Sequence, residues 1–197
     1  MPDELLFDPH PLPVQPSRLG EAPFWHPDEA ALYWCDIPGR RLNRFHPASA
    51  TLDHWDFETE PACAAPMLGG RVLLGMRDGL WCFEPRSAER IRLVEPPYDA
   101  RVQRFNDGKA DPQGRFWVGT LHEPREPALA ALYRWSDRRL SRMAADITTS
   151  NGLAWSPDGT TLYWSDTKAH VIYALDFDGR DGSLSRRREF ARFPLRQ

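Results

Sequence analysis

The segments WHPDEAALYWCD (residues 25–36) and WSPDGTTLYWSD (residues 155–166) share Trp, Pro, Asp, Leu, Tyr, Trp and Asp in one phase. A chain that repeats a turn-and-strand unit cannot bury the unit's apolar faces singly, so the units must pack on one another. DPQGRFWVG (111–119) is the same turn followed by an aromatic strand, and GGRVLLGM (69–76) is a plainer copy. With Tyr33, Leu73, Trp117 and Tyr163 as equivalent strand centres, the spacings are 40, 44 and 46 residues. That is the length of a four-stranded antiparallel sheet with its turns, the period of a propeller blade. The fold class expected is all-β: a β-propeller of about four blades over residues 17–197, preceded by an extension over residues 1–16.

Composition supports short strands and tight turns. The chain has 19 prolines and 8 tryptophans among 197 residues, and no 3.6-residue apolar period is sustained. A net charge of −3 gives no basic field, which speaks against nucleic acid as a partner. No run approaches the roughly 18 apolar residues of a membrane span, and MPDELLFDPHPLPVQP is not a signal peptide, so a cytoplasmic protein without a membrane partner is expected. Cys35, Cys63 and Cys82 have neither metal-ligand spacing nor an even count and read as reduced core residues.

Polar residues recur in one phase ahead of the strand centres. Glu21 lies 12 before Tyr33, Asn106 lies 11 before Trp117, and Asn151 lies 12 before Tyr163. The second unit has Ala62 or Pro61 there, within the apolar PACAAP. In a propeller these positions converge on the central channel, and a carboxylate with amide oxygens suits a hard divalent cation: calcium, zinc, magnesium or manganese. Asn-Gly and Asn-Asp-Gly are also ordinary turn sequences, so it is the shared phase that carries the reading. Asp107, one residue out of phase, reads as shaping the turn, and His122 as a solvent-exposed loop histidine. The RRR cluster at 186–188 reads as a solvated face. No nucleophile elbow, phosphate loop or histidine-rich zinc motif is present.

LGEAPFW, RFNDGKADPQGRFWVGT and SNGLAWSPDGTTLYWSD, in this order and spacing, resemble the senescence marker protein, regucalcin and gluconolactonase family from about residue 17 onward. The resemblance implies a six-bladed propeller with one divalent cation, calcium or zinc foremost, in its channel. It also implies hydrolysis of sugar lactones, the cation acting as Lewis acid and water activator. By this resemblance Glu21 and Asn151 are metal ligands, and Arg104, Asn106 and Glu123 hold the lactone. The family's further ligand and proposed general base, an Asp of a Pro-Asp-Gly motif, is expected beyond Gln197. The chain therefore reads as a C-terminally truncated member or fragment with about four blades and impaired catalysis, whose exposed blade edges favour self-association. A non-catalytic calcium- or ligand-binding propeller is the alternative, because LYWSD also resembles the YWTD-type repeats of receptor propellers.

Overall fold

A computed structural model describes residues 10–194, so part of the N-terminal extension (1–9) and the last three residues lie outside the described residues. Sixteen strands form four antiparallel sheets, each in sequential order. Blade one comprises β1 (Gly20–His26), β2 (Ala31–Asp36), β3 (Arg41–His46) and β4 (Thr51–Asp56). Blade two comprises β5 (Pro61–Pro66), β6 (Val72–Met76), β7 (Gly79–Glu84) and β8 (Glu89–Val94). Blade three comprises β9 (Gln103–Ala110), β10 (Phe116–His122), β11 (Ala130–Ser136) and β12 (Arg139–Ile147). Blade four comprises β13 (Ser150–Trp155), β14 (Thr161–Asp166), β15 (Val171–Asp178) and β16 (Ser183–Arg192). No helix among the described residues is long and apolar enough to cross a membrane.

Three apolar seams join the blades in chain order. Tyr33, Cys35 and Leu42 meet Val72, Leu74 and Phe83 between the first two. Cys63, Leu73 and Leu80 meet Phe105, Phe116 and Val118 between the next two. Trp117, Leu132 and Ile147 meet Leu162, Trp164 and Phe177 at the last seam. Strand burial follows from this stacking: β6 and β10, covered on both sides, are buried along their whole length, whereas β2 and β14 alternate. Tyr163, the fourth strand centre, accordingly faces away from blade three and packs edge-on against exposed Phe190, with ring centroids 4.9 Å apart. All three cysteines are buried and free, as the sequence suggested. His122 differs from expectation. It ends β10 at 4% exposure, with Nδ1 2.8 Å from the Pro127 carbonyl oxygen, because the loop beyond β10 folds back over it.

The repeated residues have repeated tasks. In the turn between β9 and β10 Asp111 accepts the Gln113 and Arg115 amides at 2.9 Å and the Trp117 indole N–H at 2.9 Å, tying the turn to the core it precedes. The terminal Asp of each LYWxD latches a blade to the segment entering it. Asp36 accepts the amides of Arg18 and Leu19 at 3.1 and 3.2 Å. Asp166 accepts those of Thr148, Thr149, Lys168 and Ala169 at 2.8–3.4 Å. Hence Asp166→Ala, which strands buried N–H donors, is expected to cost about 3 kcal/mol. In a chain of this size that is roughly 6–12 °C in Tm, and Asp166→Asn should lose less. Thermal melts of the two variants check this.

Candidate functional site

The innermost strands β1, β5, β9 and β13 pack against one another in that order, and each carries a break in its register with the next strand. In β1 it falls between Glu21 and Phe24, in β13 between Asn151 and Ala154, and in β9 Asn106 and Asp107 together oppose Gly119. In β5 the extra residue is Ala62. A bulge re-aims the side chains beside it, and these four bulges turn Glu21, Ala62, Asn106, Asp107 and Asn151 onto one narrow cleft. Ala22 and Gly152, which follow Glu21 and Asn151, both have positive φ (48° and 60°). The Asn-Gly pair is thus a bulge within a strand rather than a chain-reversing turn, and glycine is there for its left-handed backbone.

A wider cavity of about 630 Å³ opens from the cleft along the channel wall, between Glu21, Asp107 and Asn151 at one end and Trp25, Pro66 and Lys109 at the other. Burial, and then the neighbouring Asp107 charge, hold the Glu21 carboxyl above its ordinary range. Burial does the same to Asp107, against backbone donors that include the Leu153 amide at 3.4 Å. Asp107 does shape the backbone across the blade seam, but its carboxylate also shares the cleft, a placement that the alternation of a regular strand would not give. Among the described residues no three carboxylate, imidazole or thiol groups converge on a metal position. The donor set is two carboxylates that repel one another plus amide oxygens, and a hard divalent cation would relieve that repulsion. Asn151 donates from Nδ2 to Thr167 Oγ1 at 3.2 Å, which leaves Oδ1 as its remaining acceptor.

The other sequence-derived residues join this cleft through Asn106. Its Oδ1 accepts from Arg104 Nη1 and its Nδ2 donates to the Ser150 carbonyl, both at 2.8 Å. Ser150 in turn receives the Trp164 indole N–H on Oγ at 2.7 Å. It fits there only because Gly119 has no side chain: a Cβ on Gly119 would stand 1.6 Å from the Ser150 Oγ. Arg104 is 8% exposed, and burial lowers its pKa. Its Nη1 also donates to the Phe105 carbonyl at 3.0 Å, and its Nε lies 4.0 Å from Glu123 Oε1. Glu123 follows β10 and is held by Arg77 of the β6–β7 turn, from Nη2 at 2.6 Å and Nη1 at 3.2 Å. Glu21, Asn151, Arg104, Asn106 and Glu123 thus all lie at one end of the channel. Arg77 and Asp107 gave no signal in the repeat phase; the RD pair at 77–78 has the look of a plain turn.

A family model described as SMP-30/Gluconolactonase/LRE-like region matches residues 19–197. A 6-deoxy-6-sulfogluconolactonase of Pseudomonas putida is 41% identical over 181 residues, covering 90% of this chain and 62% of that protein. Regucalcin of Danio rerio is 33% identical, covering 87% and 59%. The solved structure of a calcium-binding protein, regucalcin, from Agrobacterium tumefaciens superposes with a TM-score of 0.85 at 28% identity, covering 89% and 60%. This chain therefore spans about three fifths of the length of these relatives.

The paired carboxyls set a sign for stability. Because Glu21 and Asp107 titrate above their unfolded range, their ionised forms work against folding at neutral pH, and that penalty is relieved as pH falls through the folded pKa values. Asp107→Asn removes one of these charges while weakening the bonds that the Asp107 carboxylate accepts from backbone amides. In chelator its effect on Tm is therefore expected to be more favourable at pH 7.5 than in acid, a relative gain from the lost charge. The gain should shrink toward pH 4.5, and differential scanning calorimetry at the two pH values checks it.

Proposed function

As a member of the SMP-30/gluconolactonase/LRE-like family, the chain carries, we propose, cation- and sugar-binding residues of a metal-dependent site for hydrolysing sugar lactones. The observation that carries this reading is the convergence of Glu21, Asp107 and Asn151 on one cleft next to the Asn106–Arg104 pair. Glu21 and Asn151 would hold a divalent cation, with Asp107 adding negative charge beside them. All-oxygen donors favour calcium, and zinc is the alternative. A bound cation there supplies Lewis acidity toward a lactone carbonyl and lowers the pKa of a water.

The remaining residues suit the sugar. Two carbonyl oxygens fix the Arg104 guanidinium, which keeps further N–H groups to donate to ring or carboxyl oxygens. Glu123 would accept from hydroxyl groups, and Asn106 would keep Arg104 in register with the cation end of the cleft. Donors and acceptors held a few ångströms apart match a polyol ring better than an apolar ester. Relatives named 6-deoxy-6-sulfogluconolactonase and pentonolactonase have the aldonolactone ring in common, which we take as the substrate class. Three free, buried thiols fit a reducing compartment, and we propose the cytoplasm.

Calorimetric titration of the chain with CaCl2 and with ZnCl2 tests the cation site. Glu21→Gln should weaken binding by about 10-fold or more, since affinity follows ligand charge, and Asn151→Ala should weaken it less. Unchanged affinity in Glu21→Gln refutes the assignment. Acid release from D-glucono-1,5-lactone in an indicator assay tests the chemistry: Arg104→Ala should lower kcat/KM by about 100-fold, as expected for a lost substrate-positioning group. Cation uptake with neither binding nor turnover of any aldonolactone would favour the calcium-holding alternative.

A further inference from the structure

Blade two adds no polar side chain from its inner strand, yet it reaches the channel mouth by another route. Arg77, in the turn between β6 and β7, grips two carboxylates at once. Its Nε and Nη2 donate to Glu60 at 2.8 and 3.3 Å, and its Nη2 and Nη1 donate to Glu123 at 2.6 and 3.2 Å. Nη1 also donates to the Ala100 carbonyl at 2.9 Å, so the guanidinium has few N–H groups left for a ligand. Tyr98 closes the loop around it, donating to the Arg77 carbonyl at 3.2 Å and accepting the Phe105 amide at 2.7 Å. Arg77 and Glu60 are only about one-fifth exposed, whereas Glu123 is 38% exposed and turns one carboxylate oxygen to within 4.0 Å of Arg104.

We propose that Arg77, anchored by Glu60, is a positioning residue that fixes the Glu123 carboxylate opposite Arg104 at the channel mouth. This rests on the reading of Glu123 and Arg104 as lactone contacts. A glutamate side chain at the start of a loop has three rotatable bonds, and a single 4.0 Å approach to Arg104 would not fix them. The two-pronged grip does, because a planar guanidinium bonded to two carboxylates leaves each little rotational freedom. Glu60 is what makes Arg77 rigid: against the upward push of burial, the Arg77 guanidinium holds the Glu60 carboxyl below its ordinary range, so both ends of the anchor are charged. Blade two thereby sets the spacing between the donor and acceptor offered to a sugar.

The experiment is calorimetric binding of D-gluconate, the hydrolysis product of the glucono-lactone, to the whole chain with CaCl2 present. Arg77→Met is expected to weaken gluconate about tenfold, the lower end of what losing an orienting partner does. Arg77→Lys should recover part of the loss, and Glu60→Gln, a milder change that keeps the fold if Arg77→Met does not, should weaken binding in the same direction. In a Glu123→Gln background, Arg77→Met should add nothing. An equal loss from Arg77→Met with and without Glu123→Gln, or no loss while Glu123→Gln alone weakens binding, overturns the positioning role and leaves the lactone reading standing. A Glu123→Gln variant that binds gluconate as the unaltered chain does overturns the lactone contact, and the positioning of it with it.

Discussion

A four-stranded antiparallel sheet with apolar residues on both faces must be covered on both, and that requirement orders everything else in this chain. Blades stacked face to face bury the middle strands β6 and β10 completely, and they force the four inner strands to pack along one channel. Side chains alternate along a regular strand, so an inner strand would send every second residue into a seam. The bulges in β1, β9 and β13 break that alternation where the seams allow it, and the polar residues stand there. The channel chemistry is thus a local exception to the packing rule that builds the blades.

The blades were legible in the sequence because their determinants are local and repeated. The LYWxD phase survives in Asp36 and Asp166 as the same latch, each carboxylate capping the backbone that enters its blade. The phase of Glu21, Asn106 and Asn151 was legible for the same reason, since a bulge near one place in each repeat keeps their offsets from the strand centres within one residue of each other. Asp107 was not, because only the bulge in β9 turns two consecutive residues toward the cleft, and sequence spacing cannot show a bulge. His122 was misread because a loop that folds back over a strand end buries a residue that its polar neighbours made look exposed.

Arg77 was hidden for a different reason. It sits outside the repeat phase, 46 residues from Glu123, and no property of an Arg-Asp turn distinguishes it until blades two and three are stacked. Contacts of that kind depend on the angle between blades, which the seams set through side-chain volume. In β5 Cys63 lies close against Gly75 and Gly108, where an added Cβ would come within 2.7 and 2.8 Å of the Cys63 Sγ. Small residues at this seam therefore let blade two approach blade three closely enough for its turn to reach the channel mouth.

The site and the scaffold consequently pull in opposite directions. Each seam gains from apolar closure, whereas the cleft holds two carboxyls pushed above their ordinary range and is joined through Asn106 to a buried arginine pushed below its own. Such groups persist because neighbours fix them: Asn106 ties Arg104 to the backbone of blade four, and backbone amides of blade four hold Asp107. Those ties cross the seam between blades three and four, so the apolar core around Trp117 and Trp164 is also what keeps the polar cluster assembled. Ser150 shows the dependence in one residue. Its hydroxyl serves the buried Trp164 ring while its carbonyl orients Asn106, so a change made in the core would be felt at the channel mouth.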